Sequence, residues 1–315
     1  MKSPTVSVVV PTIGRPDSLR QLLDSLTRQT ALPVEVIVAD GSDSDATGEM
    51  LNARSDDRFN VRRIKVHPPN AVTQRHSAIR IANGSHLLLL DDDVVLEREC
   101  IEQMLRVMVD HPTAVAVVAD FTNQMWPRPT RVWKWYLRTF YGVAGTAWQG
   151  RVLGPLLRYG YAEPQVGPMP MQWVGAGNTL VARHAFDAVG GFSNFFLHRC
   201  TMNEDVDLGL KLGRVGQLLF CPTALMAHHH APSGRVPPEV AAEDDIHNRF
   251  MILHHTSGQS QFSAAMLVGL YIFVESLSNL LGGLRRGNFH SALILLKGRL
   301  RGLSTVFRYL LNRPG

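Results

Sequence analysis

Short apolar runs, each followed by a polar cluster, punctuate the first 120 residues of the chain. Residues 6–10 read as a buried strand ended by Pro11, and residues 34–39 as a second ended by Asp40-Gly41-Ser42-Asp43. Unbroken β-branched runs suit strands covered on both faces. Residues 61–66, 87–90 and 114–119 predict three more. Between them the spacing turns helical. Leu19, Leu22, Leu23 and Leu26 share one face of a helix that follows the Gly14-Arg15-Pro16 turn, with Asp17 or Ser18 as its cap. Ala46–Asn52 predicts a short helix, residues 71–82 a helix closed by Asn83-Gly84, and residues 96–109 another. Alternating strands and helices predict an α/β fold, a mostly parallel sheet flanked by helices. Such sheets bind ligands beyond the carboxyl ends of their strands. Pro11-Thr12, Asp40-Gly41 and Asp91-Asp92-Asp93 all stand at such ends. No Gly-x-Gly-x-x-Gly follows the first strand, which speaks against a dinucleotide site.

Charge divides the 315 residues unevenly. Residues 122–172 hold six bases and one acid, and residues 276–315 seven bases and no acid, in a chain of net charge +5, so the remaining body is acidic. Such asymmetry points to an anionic partner, either nucleic acid or membrane. Cys100, Cys200 and Cys221 are too few and scattered for a disulfide framework. Reduced thiols, and a start that carries no basic-then-apolar signal pattern, predict a cytoplasmic protein.

The most telling stretch is Leu87-Leu88-Leu89-Leu90-Asp91-Asp92-Asp93. Three unpaired carboxylates cannot be buried with the leucines. They form either an acidic turn capping a helix that starts near Val94, or a site of hard oxygen ligands for Mg²⁺ or Mn²⁺. A second acidic cluster, Asn203-Glu204-Asp205-Val206-Asp207-Leu208, lies far downstream, where Asn203 would cap a helix through Leu212 and place Asp205 on its first turn.

Taken together, the Pro-Thr end, the Asp-Gly-Ser end, the aspartate triplet and the Asn-Glu-Asp cluster resemble the family 2 glycosyltransferases over roughly residues 4–235. The resemblance implies a GT-A fold and inverting transfer of one sugar from a nucleotide-sugar donor to a hydroxyl. It implies that Pro11, Thr12 and Arg15 line the nucleotide pocket, with Asp40 accepting from the nucleobase beside Ser42; ordinary turn chemistry is the other reading of Asp40 and Ser42. Where the family usually has Asn-Asp-Gly-Ser, Ala39 precedes Asp40, and Arg75-His76 stands where Arg-Asn is common. Arg75 would still meet the nucleotide. Asp91 and Asp93 would hold Mn²⁺ or Mg²⁺, Asp92 would face ribose or sugar, and Asp205, with Glu204 beside it, would be the catalytic base. Trp173, Gly175, Gly177 and Asn178 resemble the strand and loop beside donor sugar and acceptor, although packing alone explains them equally well. A histidine completes the metal site in many GT-A enzymes. His228, His229 and His230 all qualify, and the spacing to Ser233 favours His228; a solvated loop is the alternative. A zinc hydrolase lacks its His-Glu-x-x-His spacing.

All five tryptophans fall between residues 126 and 173, and in 131–141 aromatics alternate with bases. A lipid headgroup interface selects that mixture, as do single-stranded nucleic acid and an aromatic core. The tail favours lipid. Residues 262–284 carry one charge, Glu275, and residues 289–311 alternate leucines with bases. These predict an amphipathic or shallowly inserted pair of helices on an anionic leaflet, with a true span and a packed helical hairpin as alternatives. The expectation is a catalytic domain over 1–235, its segment 122–172 facing acceptor or membrane, and a membrane-apposed helical extension over 236–315. The expected partners are a nucleotide sugar, a hydroxyl acceptor that is lipid-linked or of the cell envelope, and a peripheral membrane contact at the cytoplasmic face, with no nucleic acid. The rivals are a sugar-nucleotide-forming nucleotidyltransferase and a non-catalytic membrane scaffold with a degenerate nucleotide fold. The Gln-x-x-Arg-Trp motif of polymerising relatives is absent.

Overall fold

The structure, a computed structural model, describes residues 4–55, 58–126, 128–197, 201–231 and 236–311. Cys200 and the Pro232-Ser233-Gly234-Arg235 segment, from which the spacing to His228 was read, lie outside the described residues.

In chain order the elements are β1 (Val6–Thr12), α1 (Pro16–Thr27), β2 (Glu35–Asp40), α2 (Ala46–Asn52), β3 (Asn60–Lys65), α3 (Ala71–Ile81), β4 (His86–Leu90), β5 (Val94–Leu96), α4 (Cys100–Asp110) and β6 (Ala114–Phe121). There follow α5 (Arg131–Tyr141), β7 (Val152–Leu153), β8 (Leu157–Arg158), β9 (Met169–Met171), β10 (Asn178–Ala182), α6 (Arg183–Ala188), α7 (Glu204–Leu212) and β11 (Gln217–His228). Three helices close the chain: α8 (Pro238–Met251), α9 (Gln261–Arg286) and α10 (Phe289–Leu311). The sheet runs β3-β2-β1-β4-β10-β6-β11-β5, with β9 also on β11. Strands β3, β2, β1 and β4 are parallel, as are β6 and β11, whereas β10 is antiparallel to both its neighbours. The order reverses at β1, the switch point where such sheets open a crevice at their carboxyl ends.

Period-two alternation builds two cores. Val8, Val10, Val36, Val38, Leu88 and Leu90 face one side with α1 and α4, and Val9, Ile37, Leu87 and Leu89 face the other with α3, α6 and α7. Ile246 and Phe250 of α8 and Val268 and Ile272 of α9 extend the second core, so the terminal helices pack on the sheet's own layer. Gly298 and Gly302 let α10 lie directly on α8, since a Cβ at either would meet the carbonyl of Glu239 or Glu243 at 2.3 or 2.5 Å.

Several boundaries differ from expectation. Helix α1 begins at Pro16 and has no side-chain cap, so neither Asp17 nor Ser18 caps it; proline at the first position lacks the N–H a cap would satisfy. Residue 34 stays outside β2. Asn83-Gly84 does not close α3, because Ala82 is extended and Gly84 is wedged against Ser7, where a Cβ would come within 2.5 Å of the backbone nitrogen. Helix α4 starts at Cys100 and not near residue 96, because Val94–Leu96 instead pairs with the end of β11. Residues 224–227, directly before the histidines, belong to the last part of twelve-residue β11. Asn203 occupies the N-cap position with left-handed backbone (φ 67°) but makes no side-chain cap, its amide going to Asp245 instead.

Candidate active site

Each acidic cluster arrives at the cleft by a different route. Parallel pairing of β1 with β4 aligns Val9 with Leu89, so Thr12 and the aspartate triplet emerge side by side. Asp92 is buried, accepting from Thr12 Oγ1 at 2.6 Å and Arg15 Nη1 at 3.0 Å. Burial outweighs these bonds and pushes its pKa up to about 6. Asp93 is held the other way. Burial would raise it, but the His228 ring and the Ala231 N–H at 2.8 Å hold it down at about 2. Asp91 is 36 % exposed and accepts from Arg75 Nη2 at 2.7 Å. The backbone of Gly177 passes so close that a Cβ there would lie 2.4 Å from Asp91 Oδ2.

Strand β11 brings the histidines. His228 Nε2 stands 3.0 Å from Asp93 Oδ1, while His229 contributes only its backbone N–H to the Asp93 carbonyl. His230 packs against His228 in a tilted ring pair, 4.0 Å between centroids. Ligand atoms of Asp91, Asp93 and His228 lie within 4.8 Å of one another. Two hard carboxylates and one imidazole on one side of an open cleft fit a divalent cation that keeps its remaining positions for phosphate oxygens and water. The second nitrogen of His228, Nδ1, meets the side-chain amide of Gln124 at 2.8 Å, which orients the ring.

Helix α7 supplies Glu204 and Asp205. Glu204 sits 3.5 Å from Arg75 Nη1, so one buried arginine spans both acidic clusters. Burial first, and the neighbouring Asp205 carboxylate second, raise the Glu204 pKa well above the usual range. Asp205 Oδ1 accepts from Arg158 Nη1 at 2.6 Å and from the Val206 N–H at 2.8 Å. Behind them Asn203 donates to Asp245, which pairs with buried Arg249. Arg249 in turn donates to the Pro155 and Leu156 carbonyls and lies 3.9 Å from the Tyr271 ring centroid. Leu156, in left-handed backbone (φ 62°), is pinned by that bond directly before β8.

Both clusters open into one cleft of about 500 Å³. Pro11, Thr12, Arg15, Arg75, Asp91, Asp92, Asp93, Trp173, Gly175, Gly177, Asn178, Glu204, Asp205 and His228 all line it. Asp40 and Ser42 do not. Asp40 is fully buried, bonded to the Ser42 N–H and paired with Arg63 and Lys65, and Ser42 accepts from the Gly14 N–H at 2.7 Å. Gln74, Gln124 and Arg158 line the cleft and escaped the sequence reading. Gln74, whose amide joins the Thr12 and Ala39 carbonyls, could have been found as a buried polar position on α3. Gln124 and Arg158 belong to no motif; β6 and the β7–β8 hairpin deliver them from afar.

The tryptophans divide. Trp133, Trp148 and Trp173 are buried, Trp126 packs edge-on against Trp173, and Trp135 stays 62 % exposed. Glu275, expected to interrupt an apolar helix, accepts from Trp133 Nε1 at 2.7 Å. The aromatic segment is thus largely a small core between α5 and α9, with only its outer face in solvent.

The sheet has the GT-A fold, and its strand ends gather carboxylates and a histidine around one cleft. The family model "Glycosyl transferase family 2" matches residues 7–156, and the chain is similar to that family over this stretch. It is 28 % identical over 239 residues to the "O-antigen biosynthesis protein RfbC" of Myxococcus xanthus, covering 74 % of this chain but only 18 % of that protein. It is 28 % identical over 251 residues to the "N-acetylglucosaminyl-diphospho-decaprenol L-rhamnosyltransferase" of Mycobacterium tuberculosis, covering 73 % of this chain and 78 % of the relative. Among solved structures, the mannosyltransferase PcManGT of Pyrobaculum calidifontis, in complex with GDP-Man and Mn²⁺, is similar over 96 % of this chain and 88 % of its own, with TM-score 0.58 and 16 % identity.

Proposed function

We propose that this glycosyltransferase moves a single sugar, with inversion, from a nucleotide-sugar donor to a hydroxyl of a lipid-linked cell-envelope intermediate. The convergence of Asp91, Asp93 and His228 with Glu204 and Asp205 in one cleft carries the reading.

Thr12, Arg15 and Arg75 bind and orient the donor, with Asp40 and Ser42 supporting the Gly14 turn from beneath. Asp91, Asp93 and His228 would hold Mn²⁺ or Mg²⁺, which supplies charge neutralisation for the departing diphosphate. Asp205, at the N-terminus of α7, takes the proton of the acceptor hydroxyl as its oxygen attacks the anomeric carbon from the face opposite the leaving group. Glu204, kept protonated more readily by burial, stays the weaker candidate for that step. Trp173, Gly175, Gly177 and Asn178 shape the floor where donor sugar and acceptor meet.

A lipid-linked acceptor is supported by the diphospho-decaprenol in the mycobacterial relative's name. The outer surface of the terminal helices supports a peripheral membrane contact at the cytoplasmic face. Phe262, Met266, Phe273, Leu277, Leu281 and Leu284 recur on one side of α9, each 46–76 % exposed. Trp135 and Phe140 of α5 are exposed nearby, among the exposed bases Arg131, Lys134 and Arg138. Such a surface suits the headgroup boundary of an anionic leaflet. Helix α9 is long and apolar enough to cross a membrane, but its core-facing side, with Val268, Ile272 and Ser276 buried, favours lying on it.

Thermal shift against a panel of nucleotide sugars, with and without Mn²⁺, tests the reading. One donor should stabilise the protein only with metal and should release a nucleoside diphosphate on turnover. Release of pyrophosphate, or no metal-dependent binding across the panel, would overturn it.

A further inference from the structure

Three arginines line the cleft, and two are committed to the acidic clusters from within. Arg75 is 3 % exposed and holds Asp91 and Glu204, and Arg15 is 15 % exposed and pairs with Asp92. Arg158 differs in being 38 % exposed, with Asp205 as the one carboxylate it pairs with among the described residues. Its guanidinium carbon lies 5.6 Å from the Trp173 ring centroid, which braces it while leaving most of its five N–H donors to the cleft. The strand that carries it is short, and the preceding Pro155 and Leu156 carbonyls are pinned by buried Arg249. The fold therefore takes trouble to present one half-exposed cation beside the base.

That placement engages the base as it stands. The Arg158 guanidinium occupies Oδ1 of the Asp205 carboxylate at 2.6 Å. Oδ1 of Asp205 is occupied by Arg158 and the Val206 N–H, and Oδ2 accepts no hydrogen bond among the described residues. A neutral acceptor would leave the ion pair intact. A phosphate or diphosphate presents paired oxygens that match the planar guanidinium fork, with more charge than one carboxylate.

We propose that Arg158 is the receptor for a phosphate or diphosphate group on the acceptor, and that its move from Asp205 to that group frees the Asp205 carboxylate for the acceptor hydroxyl. This deepens the glycosyltransferase reading above and rests on it. With Arg158 drawn off, the acceptor hydroxyl gives its proton to Asp205 Oδ2 as its oxygen bonds to the anomeric carbon. The bond from that carbon to the donor diphosphate breaks, and its electron pair leaves with the nucleoside diphosphate. Arg158 is thus a positioning and specificity residue, and the acceptor class is an anionic, phosphate-bearing sugar carrier. A lipid carrier and a soluble sugar phosphate share this chemistry.

Calorimetric titration of hexyl diphosphate into the full-length protein, with divalent metal chelated, reads the anion site without any donor. Arg158→Ala should weaken that binding about 10- to 100-fold, the range expected for a lost charge-assisted hydrogen bond, and Arg158→Lys should restore part of it. Equal affinity in wild type and Arg158→Ala overturns the proposal. Inorganic pyrophosphate should bind more weakly than hexyl diphosphate; equal binding would overturn a lipid carrier as the source. The second arm follows slow hydrolysis of the donor by water in the metal-loaded protein. Hexyl diphosphate should accelerate it in wild type, while Arg158→Ala and Arg158→Gln should hydrolyse faster unaided and not respond. Variants as slow as Asp205→Asn would make Arg158 a structural prop and overturn the switch. Failure of the wild type to hydrolyse any nucleotide sugar would sink the glycosyltransferase reading instead, while the donor-free titration still judges Arg158.

Discussion

The two sides of the cleft position the same kind of residue by different means. On the proposed donor side, carboxylates stand at the ends of parallel strands whose register is set by backbone hydrogen bonds, and Thr12 meets Asp92 because β1 and β4 run together. On the proposed acceptor side, Asp205 is paired with Arg158 from a small hairpin, and behind it stand Asp245 and Arg249 from α8 and the Tyr271 ring from α9. Backbone register distributes its hold over many bonds, so no one side chain is decisive. A web of buried charges concentrates it, because each charge left without its partner is strongly destabilising. The donor side should therefore tolerate substitution better in stability, and the acceptor side should couple stability to catalysis.

The largest effect that would break this comparison is chemical. Asp205→Asn should lower transfer by about 10²- to 10⁴-fold, as expected for a lost general base, with donor affinity by titration unchanged. Equal loss of donor affinity would move Asp205 to the donor side. Next, Arg249→Ala should destabilise the fold by about 3–5 kcal/mol, since it leaves Asp245 buried without its cation; urea denaturation measures it. A loss below about 1 kcal/mol would show that the acceptor web is not the concentrated hold described above.

Acid sharpens the contrast further. For Glu35, Asp40 and Asp245 burial alone would raise the pKa, yet hydrogen bonds and neighbouring cations lower each below its ordinary 4.5 or 3.8. A depressed folded-state pKa gives stability that is complete above the ordinary value and is lost as pH falls through the folded one. The melting temperature should therefore hold from pH 7 to about 5 and drop below about pH 4. Glu35→Gln, at the amino end of β2, should shallow that drop; an unchanged acid limb would show that Glu35 does not contribute. The smallest expected effect lies outside the cleft. Phe273→Asp on the exposed face of α9 should weaken sedimentation with anionic vesicles about tenfold, the scale of one buried aromatic side chain, while the melting temperature stays put. Loss of a dimer in place of vesicle binding would assign that face to a second copy of the chain.

Much of the donor side was legible because its signals are local. A four-leucine strand ending in three aspartates states its own geometry, and the Pro-Thr end beside it needs only parallel pairing. Asp40 was read as open to a base, yet Arg63 and Lys65 of the neighbouring strand enclose it, which the strand-end motif alone does not reveal. Glu275 and Trp133 were weighed as features of a membrane surface. They meet one another because α5 folds back on α9, 142 residues away along the chain.

Period and strand-end chemistry alone determined the α/β class, the acidic rim and the pairing of a metal-type cluster with a distant Asn-Glu-Asp motif. Tertiary structure alone decided that both clusters share one cleft, that His228 among three neighbours reaches Asp93, and that Arg158 stands against Asp205. Apolar periodicity follows from the local geometry of strands and helices, so a sequence records it within a few residues. Ion pairs between remote side chains depend on how the elements pack, and nothing in the local pattern of either partner specifies the other.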